Sequence, residues 1–487
     1  MIHNRLNLFI IFSVLLISIL KIFLPPFNLE WYFLDLANFF NQRSIVLDLK
    51  TFKNLQLNSS FYSLIISTLK LENFLEQVYL VRLFNLLSLP FLVLSLNAIA
   101  HYFKKIFYQN DSRNFSLSLY IIFTPIVFLL MGKAFPDYLS FLLIICSIAL
   151  YIKNHFFFFT LFLILSATLK PIALYIFPIL IVISYFNNKR LFDKKIILSL
   201  FAAVIIAIAY VYKIDKFMVS AEHTSLFNVS ILSSLSNYLV YISYLSILLL
   251  FIVPYKFYEF FKKKEVLNFF IYSALSVLLL FICRNTYGEM NYGYISYIIK
   301  GEYTGSLILF ITFLFYIILT SEIIFSNKKF EKYFFLALNI SIFILAVFVE
   351  RPAQRYLLYI YPFFFLFIFH FMSEKFKKIL IINIMCFFVI NLFQFFYFKS
   401  FSTTAVKIYN DLRTKKILKQ THPLDIFHIN GYSFSNSIVL EKNFTYKYVV
   451  KYCKKNINDK NQISVYSIKL INLTIKEICI LKRNDIS

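Results

Sequence analysis

The chain has 487 residues, of which 60% are hydrophobic and 20% aromatic, and its mean hydropathy is +0.73. Charged residues make up only 15%, against about a quarter in a soluble globular domain, which excludes an ordinary soluble fold and points to a polytopic membrane protein. The formal net charge of +25 is spread over short loops between apolar runs, so the positive-inside rule explains most of it and nucleic-acid binding gains little support. The same excess suits anionic membrane lipids or a lipid-linked phosphate.

The first apolar run, about Leu8 to Leu24, has no small-residue cleavage site and reads as a retained first span. Pro25 and Pro26 stop it, because proline lacks the backbone donor and clashes with the preceding turn. The segment from Pro25 to about Gln77 is amphipathic and reads as two interfacial helices. Asn28 is placed to cap the first of them, and Glu30 and Asp35 follow among aromatic residues. Carboxylates at a membrane edge are costly unless exposed, paired or used, so an interfacial helix with its acids outward and a catalytic segment both remain open.

A span needs about 20 mainly apolar residues. The second runs from about Val78 to Tyr102 and the third from Phe115 to Met131, where a short turn, residues 132–137, leads into the fourth. The fourth ends near Lys153, the fifth at Lys170-Pro171 and the sixth at Tyr185. The seventh covers about Ile196 to Tyr212, the eighth Tyr238 to Val253, and the ninth ends at Cys283. A polar loop, residues 284–304, carries Tyr287, Glu289 and Tyr292 among several glycines, a composition suited to a moving cover over a site or to a plain connector. The tenth span ends before Lys328, the eleventh at Val349, the twelfth before Lys375, and the last runs from about Ile379 to Phe398. This gives about 13 spans.

Lys/Arg clusters at 104–113, 189–195, 256–264, 328–332 and 375–378 fall on alternate loops and are assigned to the cytoplasm. The N-terminus then lies inside and the tail outside. The fold class expected is an all-α polytopic domain over residues 1–399, followed by a small extracytoplasmic α+β or β-rich domain over residues 400–487. Alternating stretches near 446–450 and 463–468 suggest strands in the tail. His422 and His428 read as surface residues. None of the five cysteines belongs to a metal-binding spacing; Cys453 and Cys479 share the tail and would pair only in an oxidising compartment.

With this topology the unusual polar residues near the membrane edges gather on one side: Glu30, Asp35, Lys133, Asp137, Lys170, Arg351 and Arg355. Alone, Lys170 and Arg351 read equally well as snorkelling anchors and Asp137 as a helix-start residue. Together, cations facing acids suit a substrate with a phosphate and an acceptor hydroxyl. The cations hold the phosphate, and a carboxylate takes the acceptor proton.

The order of short matches over residues 1–400 resembles the polytopic glycosyltransferases of the GT-C superfamily, of the protein mannosyltransferase and aminoarabinose transferase type. Leu29-Glu30-Trp31-Tyr32-Phe33-Leu34-Asp35-Leu36-Ala37 is similar to that family's first outer loop, with Leu29 in place of its first acid. Ser60-Phe61-Tyr62, Arg82-Leu83-Phe84-Asn85, Pro136-Asp137, Leu169-Lys170-Pro171 and Arg355-Tyr356-Leu357 to Pro362 follow in the family's order. The resemblance implies a polyprenyl-phosphate sugar donor, a lipid, glycan or protein acceptor, and inverting transfer at the outer face of the inner (cytoplasmic) membrane. It implies Glu30 or Asp35 as base, Asp137 as second acid or organiser, and Lys133, Lys170, Arg351 and Arg355 as phosphate ligands. Metal dependence varies within the superfamily, so a divalent metal stays open. A polysaccharide polymerase or ligase of the O-antigen type, a transporter without chemistry and a membrane scaffold whose tail does the work are the competing readings.

Overall fold

The computed structural model describes residues 2–24, 60–69, 74–107, 115–188, 193–215, 231–247, 257–258, 260–261, 266–286, 302–348, 354–371, 379–416, 448–453, 462–470 and 473–482. The helices, in chain order, are α1 (Ile2–Ile22), α2 (Ser60–Ser67), α3 (Phe74–Leu87), α4 (Leu89–Phe107), α5 (Phe115–Phe123), α6 (Pro125–Met131), α7 (Pro136–Ile152) and α8 (Phe156–Leu169). They continue as α9 (Phe177–Asn188), α10 (Lys194–Asp215), α11 (Ile231–Ile247), α12 (Val266–Thr286), α13 (Glu302–Phe325), α14 (Lys329–Phe348), α15 (Tyr361–Phe371) and α16 (Ile379–Thr414). Two short 3-10 helices, Pro171–Ile176 and Gln354–Tyr359, precede α9 and α15.

The chain is a mostly helical membrane protein. Among the described residues four helices are long and apolar enough to cross a bilayer: Val78–Ile106, Gly305–Phe325, Lys329–Phe348 and Ile382–Ser400. A fifth span results if α6 and α7, bent by 114°, are taken as one. The other expected spans coincide with shorter, bent or partly described helices, so the described residues give four or five spans where about 13 were expected. Large apolar side chains such as Phe91, Leu198, Leu267 and Phe270 point outward from the bundle, as contact with lipid demands.

The bundle is packed largely with phenylalanine. Phe103 of α4 meets the rings of Phe334 and Phe363 edge-on or tilted, at 4.9 and 6.2 Å, and Tyr120 stacks on Phe365 at 4.2 Å. Such offset and edge-to-face contacts follow from the ring quadrupole. α15 lies in the middle of the bundle: every residue from Tyr361 to Ile368 is buried.

The third expected span is corrected to two helices, because Pro125 interrupts it. Thr124 leaves the helical region (φ −58°, ψ 138°), as a residue before proline tends to do. Proline supplies no N–H to the carbonyl of Ile121, and the Thr124 hydroxyl donates to that carbonyl instead, at 2.6 Å. Asn391 of α16 donates to the carbonyl of Phe123 at 2.8 Å. The last expected span agrees with the apolar stretch Ile382–Ser400, but the helix that carries it, α16, runs on unbroken to Thr414.

The tail holds three strands, β1 (Tyr448–Tyr452), β2 (Gln462–Leu470) and β3 (Leu473–Lys482), in an antiparallel sheet ordered β1-β3-β2. The first two match the expected stretches, and the central third was missed. Tyr466 donates to Asp411 Oδ2 at 2.8 Å and Ser400 donates to the carbonyl of Lys469, so β2 is fastened to the extension of α16. Cys453 and Cys479 are joined as a disulfide across 26 residues of sequence. The interfacial helices are described only at α2; residues 25–59, His422 and His428 lie outside the described residues.

Closing a loop of this size favours the folded sheet by about 3–4 kcal/mol in the chain-entropy picture. Cys479→Ser is therefore expected to speed proteolysis and hydrogen exchange in β1 and β3 while leaving α4 and α14 protected. Unchanged exchange in the strands would contradict a stabilising staple.

Candidate functional site

The candidate site forms among helix ends. α6 ends at Met131, and Gly132, Lys133, Ala134 and Phe135 turn the chain before Pro136 opens α7. Proline suits the first helical position, where its missing N–H costs nothing. Asp137 follows in the first turn, where the helix dipole favours a carboxylate. α8 ends at Leu169, and Lys170 is extended (φ −150°, ψ 96°) before Pro171. Arg355 and Tyr356 come from the 3-10 helix before α15.

Asp137 is fully buried, and Lys170 Nζ lies 3.5 Å from its Oδ1. Among the described residues neither oxygen of the Asp137 carboxylate accepts a hydrogen bond. A buried carboxylate held by one ammonium and no donors is expensive. The Lys170 ammonium is also 5.8 Å from the centre of the Tyr356 ring. Arg355 Nη2 donates to the Tyr356 hydroxyl at 3.1 Å, and its guanidinium lies 5.0 Å from that ring and 5.6 Å from the ring of Phe135. Lys133 lies 5.9 Å from the Phe135 ring and 5.0 Å from that of Phe398 in α16. Burial favours the neutral phenol of Tyr356, but the charges of Arg355 and Lys170 outweigh it and hold the group below its ordinary value.

Hydrogen bonds cross-link the frame around these groups. Tyr175, in the 3-10 helix after Lys170, donates to the backbone carbonyl of Tyr356, so the two 3-10 helices are tied together. Tyr359 donates to Ser140 Oγ at 3.1 Å, one turn after Asp137, and Ser140 and Ser166 hydroxyls are 2.9 Å apart. Three cations from three separate segments thus stand by the rings of Phe135, Tyr356 and Phe398, and Lys170 is also beside the Asp137 carboxylate. Such an arrangement suits an anion held beside an acid.

Of the residues expected from sequence, Lys133, Asp137, Lys170 and Arg355 meet here. Glu30, Asp35, Arg351, Tyr287, Glu289 and Tyr292 lie outside the described residues. Sequence reading gave no role to Tyr356, Phe135 or Phe398. Tyr356 had a signal in its place beside Arg355; the two phenylalanines had none in a chain with 63 of them. Among the described residues no three His, Cys, Asp or Glu side chains gather as a metal site.

The buried pair gives a direct test. Lys170→Met leaves the Asp137 charge without its cation and is expected to cost about 3–5 kcal/mol. Adding Asp137→Asn should recover most of that loss in thermal denaturation of the purified protein. A single variant as stable as wild type would mean the pair is not formed.

No protein-family model matches this chain, and no curated protein or solved structure is detectably similar to it.

Proposed function

We propose that this chain is an inner-membrane glycosyltransferase of the GT-C kind, with its N-terminus inside and its C-terminus outside. It moves a sugar from a polyprenyl-phosphate-linked donor to a lipid, glycan or protein acceptor at the outer face. The observation that carries this reading is the gathering of Asp137, Lys170 and Arg355, from three separate segments, around Tyr356 among helix ends: Lys170 contacts Asp137, and Lys170 and Arg355 both stand by the Tyr356 ring. Apolar helices around the cluster suit a donor whose phosphate enters from the bilayer.

The division of labour follows from charge. Lys133, Lys170 and Arg355, with Arg351, hold the donor phosphate and take up the negative charge that grows on it as the sugar–oxygen bond breaks. Glu30 or Asp35 removes the proton of the acceptor hydroxyl. The freed oxygen attacks the anomeric carbon from the face opposite the phosphate, so the sugar inverts and polyprenyl phosphate leaves. Asp137 orients Lys170 through their contact.

A transporter is the second reading, favoured by the 114° bend between α6 and α7, since broken helices line transporter sites. The first experiment is thermal stability of the purified protein with and without a polyprenyl phosphate. A ligand that binds the folded state raises its stability by mass action. The expected result is a clear upward shift for wild type that Arg355→Ala abolishes. No shift for wild type would sink the lipid-phosphate reading.

A further inference from the structure

Lys133 and the end of α1 are held by one face of α3. Arg82 Nη1 lies within hydrogen-bond reach of the carbonyls of Lys21 (2.8 Å), Ile22 (3.2 Å) and Leu24. One turn later, Asn85 Nδ2 donates to the carbonyl of Lys133 at 2.7 Å and reaches that of Met131 at 3.3 Å. Both side chains are buried, at 1% and 3% exposure, in the span Val78–Ile106. Buried polar residues in a span are costly and usually serve a site.

The same turn is held from its other side. Lys21 Nζ donates to the carbonyl of Phe128 at 3.0 Å and lies 3.9 Å over that ring. Its stem fills the space above Gly132, where an added Cβ would come within 2.4 Å of Lys21 Cδ. The backbone of residues 131–133 is therefore clamped, and the Lys133 side chain leaves it toward Phe135 and Phe398.

We infer that Asn85 is a positioning residue for anion binding by Lys133, acting through the Lys133 backbone carbonyl. The inference rests on the phosphate-binding role proposed above for Lys133. Arg82 supplies the comparison, because the carbonyls it reaches are those of Lys21, Ile22 and Leu24 at the end of α1.

The test uses the full chain, purified in detergent, and a short-chain polyprenyl phosphate as probe. Arg82→Met and Asn85→Ala each leave buried carbonyls without their donors, so both are expected to lower the melting temperature. Only Asn85→Ala should weaken probe binding, by about tenfold. Combined with Lys133→Met it should add nothing to the loss caused by Lys133→Met alone, since both act on one group. Should Asn85→Ala fail to fold, Gly132→Ala disturbs the same turn without touching α3 and should also weaken binding. The inference is overturned if Asn85→Ala, or Gly132→Ala in its place, binds as wild type does, if Arg82→Met weakens binding as much, or if the double variant loses affinity additively. Failure of wild type itself to bind would remove the lipid-phosphate reading and this role with it, whereas wild-type binding with an indifferent Asn85→Ala removes this role alone.

Discussion

In an apolar bundle every broken helix frees backbone carbonyls that no water can reach, and the architecture here follows from how they are satisfied. The Thr124 hydroxyl and Asn391 take the carbonyls around the Pro125 break. Lys21 and Asn85 take those of Phe128, Met131 and Lys133 at the end of α6. Arg82 holds the end of α1, and Tyr175 holds the backbone at Tyr356. Each donor comes from a different element than the carbonyl it reaches, except Thr124, which serves its own break. The breaks are thereby fixed against one another, and the charged residues they carry are fixed with them.

That arrangement explains why a costly charge cluster is tolerated. Asp137 is buried with Lys170 beside it, and Lys133 and Arg355 stand over aromatic rings whose faces attract cations. α16 links the cluster to the tail: Phe398 touches Lys133, and two residues on, Ser400 is bonded to β2. The sheet is thus anchored within a turn of a residue that lines the site.

Much of this was legible in the sequence. The apolar runs placed most of the helices, and proline marked the site, since Pro136-Asp137 and Lys170-Pro171 each announce a helix end with a charge on it. Arg355 stood out as a charge beside an apolar run. The break at Pro125 was passed over because the hydropathy on both sides is continuous. β3 was missed because its Lys476-Glu477 pair interrupts the alternation, and its central place in the sheet depends on partners far along the chain. Contacts across more than a hundred residues, such as Lys21 to Phe128, leave no local pattern at all. Among the described residues only four or five helices are long and apolar enough to cross, because several of the apolar runs form bent, short or partly described helices.

The central claim is that bond transfer, not transport, takes place at the cluster. It is tested most directly by placing the purified protein in liposomes with a radiolabelled polyprenyl-phosphate-linked hexose and a mixture of membrane lipid acceptors. The account predicts that free polyprenyl phosphate and a labelled acceptor appear together, and that Lys133→Met with Arg355→Ala stops both. Movement of intact donor between leaflets, with the sugar–phosphate bond unbroken, would contradict it.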